Sequence, residues 1–207
     1  MRRKALRTAA ATSATAVGLA LILSGTASAA PSQTVTADLN GDGTPDSATL
    51  TLTDPSTQTL SMTVNGVTTE TATDADPAAG IQPVRVTDVN RDGEQELVVT
   101  HSVGANTTFS LLWDYANGPR AVHTPDGKPL DLVEGGGVGA RSGFECADPV
   151  LITLGATNES PTTEPAYTGQ RVAFQVRDGV ATETDTVPFA NAPSGDPVVQ
   201  VDPTTCS

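Results

Sequence analysis

Apolar and polar residues alternate in short runs along most of this chain after residue 30, and no amphipathic stretch of helical period interrupts them. Leu60, Met62 and Val64 alternate with Ser61 and Thr63. Phe109, Leu111, Trp113 and Tyr115 repeat the pattern, as do Val172, Phe174 and Val176. Successive side chains of a β-strand point to opposite faces, so each set marks a half-buried strand with its apolar side on a core. Each strand leads into a dipeptide that favours a tight hairpin: Asn65-Gly66, Asn117-Gly118 and Asp178-Gly179. Such pairs accept the left-handed backbone that a two-residue hairpin turn requires.

The pattern recurs as three similar units. Strands are expected at 48–52, 60–64 and 67–71, then at 97–100, 109–115 and 121–122, then at 150–154, 172–176 and 180–187. Upstream strands at 34–37 and 84–87 extend the units to about 34–80, 81–133 and 140–190. Residues 191–207 are expected to form an extended tail, and residues 30–33 to lie outside the ordered part. The prediction is an all-β fold: an antiparallel meander of about three propeller-blade-like units. It is expected to be open, or a small barrel or sandwich, rather than a closed propeller.

The N-terminal segment changes the compartment. Arg2, Arg3, Lys4 and Arg7 precede an apolar run at 14–23, and Ala27-Ser28-Ala29 offers small residues for cleavage. This is the layout of an export signal, and the run is too short to anchor in a bilayer. Residues 1–29 are therefore expected to be a signal peptide, and 30–207 a single secreted all-β repeat domain with no membrane span. The chain carries 24 acidic and 11 basic residues, a formal net charge of −13. Four of the 11 basic residues lie in 1–29, which leaves seven against 24 acidic ones, a net of −17. That balance disfavours nucleic acid and anionic membranes, both of which need basic patches. It favours bound cations. Cys146 and Cys206 are the only cysteines, and an even pair in an exported chain is expected to form a disulfide that holds the tail.

Candidate chemistry concentrates in two stretches, D-L-N-G-D-G-T-P-D at 38–46 and D-V-N-R-D-G-E-Q-E at 88–96. Both read Asp-x-Asn-x-Asp-Gly-x-x-acid. Oxygen-bearing side chains at every second position, with a glycine for the sharp turn, suit calcium, which takes six to eight oxygens. The expected ligands are Asp38, Asn40, Asp42, the Thr44 carbonyl and Asp46, then Asp88, Asn90, Asp92, the Glu94 carbonyl and Glu96. Turns rich in Asp and Asn that need no ion are the alternative. Arg91 stands where the first loop has Gly41, so the second site is expected to bind more weakly. An EF-hand would need a bidentate Glu at its twelfth position, where Thr49 and Val99 stand. In the third unit, Gly143 to Asp148 occupies the matching place without the ligand pattern. The disulfide is expected to secure there what the ion secures in the other two units.

The paired motifs, with the strands that follow them, resemble the FG-GAP or VCBS-type calcium repeat of integrin-alpha-like propellers and many exported bacterial proteins. That family's Phe-Gly-Gly-Ala-Pro segment is absent, and three units fall short of the usual four to eight blades of a closed propeller. The resemblance implies structural calcium that clamps the corner between strands. It also implies a non-enzymatic binding or adhesion module at or outside the cell envelope, with an extracellular or envelope ligand that the sequence does not name. A secreted hydrolase with no recognisable motif is the alternative. The histidines, His101 and His123, form no metal-binding pair, and no G-x-S-x-G nucleophile turn occurs. Gly135-Gly136-Gly137-Val138-Gly139 lacks the Lys-Ser/Thr of a phosphate loop and reads as a loop or bulge. No catalytic residue is assigned.

Overall fold

The computed structural model describes residues 29–158 and 164–206, so the expected signal peptide lies outside the described residues but for Ala29. The described chain is all-β and antiparallel. The first unit is a four-stranded sheet in chain order: β1 (Ser32–Ala37), β2 (Asp46–Asp54), β3 (Thr57–Val64) and β4 (Val67–Asp74). Asn65 and Gly66 turn β3 into β4 with φ of 51° and 76°, the left-handed pair that their chemistry favours. The second unit holds β5 (Arg85–Thr87), β6 (Glu96–Val103), β7 (Thr107–Tyr115) and β8 (Pro119–Ala121). The third holds β9 (Asp131–Gly135), β10 (Ala140–Ala147), β11 (Val150–Thr157), β12 (Ala166–Arg177) and β13 (Val180–Pro193).

The second and third units join along one edge. The C-terminal half of β7 pairs with β8 and its N-terminal half with β9, so one sheet runs β13-β12-β11-β10-β9-β7-β6-β5 with β8 beside β7. Neither sheet closes on itself; β1, β4, β5 and β13 are edges. The glycine run ends β9 where two backbones meet. A Cβ on Gly135 would stand 2.1 Å from the Asn106 carbonyl oxygen, which also accepts the Gly136 N–H at 2.7 Å.

The middle unit is buried on both faces. Leu97 and Val99 of β6, with Leu111, Trp113 and Tyr115 of β7, pack on Leu50, Leu60 and Met62 of the first sheet. Val98 and Leu112 point the other way, into a core shared with Leu132, Phe144, Leu151 and Val176. The unbroken apolar runs Leu97-Val98-Val99 and Leu111-Leu112-Trp113 are what a strand covered on both sides requires. The expectation of one buried face for β7 is thus corrected. Leu112 is fully buried, and Phe109 is half-buried outside both cores. Val172 is corrected likewise, since it lines an open groove.

The outer face of the first sheet is hydroxyl-rich. Thr34, Thr49, Ser61 and Glu70 are cross-strand neighbours, as are Thr36, Ser47, Thr63 and Thr68. Thr34 bonds Thr49 at 2.9 Å and Thr63 bonds Thr68 at 2.8 Å. A β-branched residue with a polar tip suits a strand that faces water. Buried Gln58 ties this unit to the next: its Nε2 donates to the Asp74 and Thr100 carbonyls, both at 2.8 Å.

Three expectations need correction. Residues 30–33 are not all outside the ordered part, since β1 begins at Ser32 and the Pro31 carbonyl accepts the Leu52 N–H. Gly143 to Ala147 is not a third loop but part of β10. The tail is not wholly extended; β13 runs to Pro193, and two 3-10 turns follow at Pro197–Val199 and Pro203–Cys206. Val199 then covers Leu154, Ala156 and Tyr167 on the outer face of the third unit. Among the described residues no helix is long and apolar enough to cross a membrane.

If the middle unit carries two cores, Leu97→Ala and Leu112→Ala should each lower unfolding free energy by about 2–5 kcal/mol. Denaturant titration checks this; a loss under about 1 kcal/mol at either position would mean that face is not packed.

Candidate functional site

Both acidic loops occupy the same place in their units. The first joins β1 to β2 and the second joins β5 to β6. All but one of their internal hydrogen bonds match. Gly43 N–H donates to Asp38 Oδ2 at 2.8 Å, and Gly93 N–H to Asp88 Oδ2 at 3.3 Å. Asp42 N–H reaches Asn40 Oδ1 and Asp92 N–H reaches Asn90 Oδ1, both at 3.2 Å. Thr44 N–H donates to Asp42 Oδ1 at 2.7 Å, and Glu94 N–H to Asp92 Oδ1 at 2.9 Å. The last acid closes each loop: Asp46 Oδ2 accepts from Leu39 N–H at 3.2 Å, and Glu96 Oε2 from Val89 N–H at 2.9 Å. The repeat seen in the sequence is therefore a repeat in space. The Thr44 and Glu94 carbonyls, the remaining expected ligands, belong to these same turns.

The loops differ in one bond. Asp38 Oδ1 accepts the Asp42 N–H at 3.2 Å. Asp88 Oδ1 is buried and has no hydrogen-bond partner among the described residues. Thr69 Oγ1 and Trp113 Nε1 share that state, but neither belongs to a carboxyl group, for which burial without a partner is costlier. Glu96 adds to the imbalance. Burial pushes its carboxyl up to about 8, and the charges of Asp92 and Asp88 add to the rise against the Val89 N–H. Burial also raises the Glu94 carboxyl, helped by Asp92, Asp114 and Asp178 and opposed by Arg120. Among the described residues no three Asp, Glu, His or Cys side chains converge as a ready-made metal cage. The carboxylates instead face the N–H groups of their own loops.

Each loop also abuts the unit that follows. Asp38 N–H donates to Gln95 Oε1 at 2.8 Å, and Gln95 N–H returns a bond to the Asp38 carbonyl at 2.7 Å. Gly41, at φ 68°, lies against Glu94: a Cβ there would stand 3.0 Å from the Glu94 Cγ. Arg91, its counterpart, holds the same left-handed conformation at φ 54°, which a side chain disfavours. Its guanidinium turns away to pair with Asp148 of the third unit at 3.1 Å. Asn90 Nδ2 donates to the Val176 carbonyl beside the β12–β13 turn at 3.2 Å.

The Cys146–Cys206 disulfide is present, and it acts on the second loop, where the sequence assigned it to a third. The turn Pro203–Cys206 lies along the part of β10 that β9 leaves unpaired, with Cys146 N–H donating to Thr205 Oγ1 at 2.8 Å. The Cys206 carbonyl then accepts the Asp88 N–H at 3.0 Å and the Thr87 hydroxyl. The residue that opens the second loop is thus pinned by the C-terminal end of the described chain. No motif could have shown this, because the contact joins residues more than a hundred positions apart.

Other candidate chemistry is dispersed. His101 Nε2 lies 3.3 Å from Asp131 Oδ1. His123 sits in isolated bridges to Pro129 and Val180. Comparison with known proteins finds no match: no protein-family model, characterised protein or solved structure matches this chain.

Replacing Cys146 and Cys206 by Ser opens a 60-residue separation, and roughly 4 kcal/mol of stability should go with it in the chain-entropy model. An unchanged denaturation midpoint would contradict the pinning. Glu96 makes a second prediction. In chelator it holds its proton more tightly folded than unfolded, so stability should fall as pH rises from the ordinary 4.5 to about 8. Glu96→Gln should flatten that slope in thermal melts, whereas a parent Tm that stays level or rises across the range would refute the assignment.

Proposed function

We propose that this chain is an exported, calcium-stabilised β-repeat protein that acts at or outside the cell envelope as a non-enzymatic binding or adhesion module. The observation that carries the reading is Asp88 Oδ1, a buried carboxylate oxygen with no partner among the described residues, inside a loop of alternating oxygen donors. Calcium would be held by Asp38, Asn40, Asp42, the Thr44 carbonyl and Asp46, and by Asp88, Asn90, Asp92, the Glu94 carbonyl and Glu96. When bound, it would supply the positive charge that these crowded carboxylates lack. The side chains must then turn from their own N–H groups toward the ion. The second loop is strained at Arg91 and is the weaker site. The likeness to FG-GAP and VCBS-type repeats supports the same assignment.

Export is supported by the basic and apolar N-terminal pattern and by the disulfide. Four carboxyls outside the loops are shifted away from general-acid work. Asp54, Asp76, Asp126 and Asp202 are all held below their usual range by hydrogen bonds, first from Ser56, Val103, Lys128 and Thr204 respectively. A general acid working near neutral pH needs the opposite shift.

Extracellular calcium sites bind at about 10⁻⁴–10⁻³ M, and a hundredfold excess over Kd adds roughly 2.7 kcal/mol per site. Calcium should therefore raise the Tm above its value in chelator. Asp38→Asn and Asp88→Asn should each remove part of the rise while changing little in chelator. Identical melts in calcium and chelator would overturn the proposal.

A further inference from the structure

A groove of about 890 Å³ crosses the third unit, away from both loops. Its floor is one face of the sheet. Ser142 of β10, Gly155 of β11 and Gln170 of β12 are cross-strand neighbours, and Pro188 of β13 continues the row. Thr153 and Val172 form the adjacent row on the same face. Strand β9 supplies Asp131, which His101 contacts from β6.

Three glycines lie in this part of the sheet, and two are forced. A Cβ on Gly169 would stand 2.2 Å from the Gly155 carbonyl oxygen, and one on Gly143 would meet Val201 of the tail at 2.4 Å. Gly155 has no such cause. Its backbone is not left-handed, and nothing lies within 4 Å of where its Cβ would stand. Glycine inside a strand costs backbone entropy and forfeits packing, and no feature of the fold offsets that cost here. A bare strand position that opens into a groove is what close approach of a ligand requires.

The lining narrows the class of ligand. Among the described residues Asp131 is its one charged residue and no Lys or Arg lines it, so phosphate and other anions find no counter-charge there. Strands β11 and β12 have neighbours on both sides, and the tail lies along the part of β10 that β9 leaves unpaired, so this face offers no free edge to an added peptide strand. What remains is hydroxyl and amide chemistry from Ser142, Thr153 and Gln170, with apolar surface from Val172 and Pro188. We propose that the groove binds a segment of neutral glycan. A sugar ring sits over Gly155, its hydroxyls exchange hydrogen bonds with Ser142, Thr153 and Gln170, and its apolar face lies on Val172 and Pro188. This names a ligand for the binding role proposed above and rests on that role, not on calcium.

The test uses the whole chain. Gly155→Val fills the floor with a good strand former, and its Tm should equal or exceed the parent's. A clear fall in Tm would make the glycine structural and overturn the proposal. Neutral tetrasaccharides of glucose, of mannose and of N-acetylglucosamine serve as probes, followed by amide chemical shifts. At least one probe should move Ser142, Gly155 and Gln170 in the parent. The response should vanish in Gly155→Val and weaken by about tenfold in Gln170→Ala, as expected for one lost hydrogen bond. No response to any of the three, shifts confined to another face, or equal affinity in Gly155→Val would overturn it. Melts of the same samples in calcium and in chelator report separately on the loops, so failure of one reading is distinguishable from failure of the other.

Discussion

Leu97 and Val98 are neighbours in the chain, both buried, and they face opposite ways. The rest of the structure depends on that double burial. Removing one such side chain from water contributes about 1.5–3 kcal/mol, and β6 and β7 place several on each side. A unit covered on one face only would leave Val98 and Leu112, or Leu97 and Trp113, in water. The first sheet and the third unit are therefore not appendages of the middle unit. They are its two walls, and the three must be stacked for any of them to be closed.

Stacking by apolar faces leaves the corners between units unsupported, and the acidic loops lie at those corners. The first touches the second through Asp38 and Gln95. The second touches the third unit through Asn90, Arg91 and the tail. Carboxylates gathered at such junctions repel one another unless N–H groups or a cation answer them. The first loop answers with Asp42 N–H on Asp38. The second leaves Asp88 Oδ1 unanswered but has its main chain held by Cys206. One junction thus relies on an internal bond, the other on a covalent clamp, and both keep their oxygen donors in the same array.

What the sequence disclosed follows the range of the interactions concerned. The hairpin at Asn65-Gly66 and that at Asp178-Gly179, where φ is 50° and 76°, were legible because two residues determine the turn. The loops were legible because their donors lie within nine residues of each other. Leu112 was missed because alternation assumes water on one side, and only the arrival of the third unit covers it. Strand β10 was missed because Gly143 and Cys146 resemble a decayed loop, whereas Gly143 makes room for Val201 of the tail. The groove was not legible at all. Gly155 is informative only once its surroundings are known to be empty.

We propose that two repeated loops hold calcium at the junctions of a three-unit stack. Calorimetric titration of calcium into chelator-stripped protein tests it most directly. Two sites per chain are expected, the tighter lost in Asp38→Asn and the weaker in Asp88→Asn. A titration with no binding heat and no saturable site would contradict it and would leave both loops as turns held by their own hydrogen bonds.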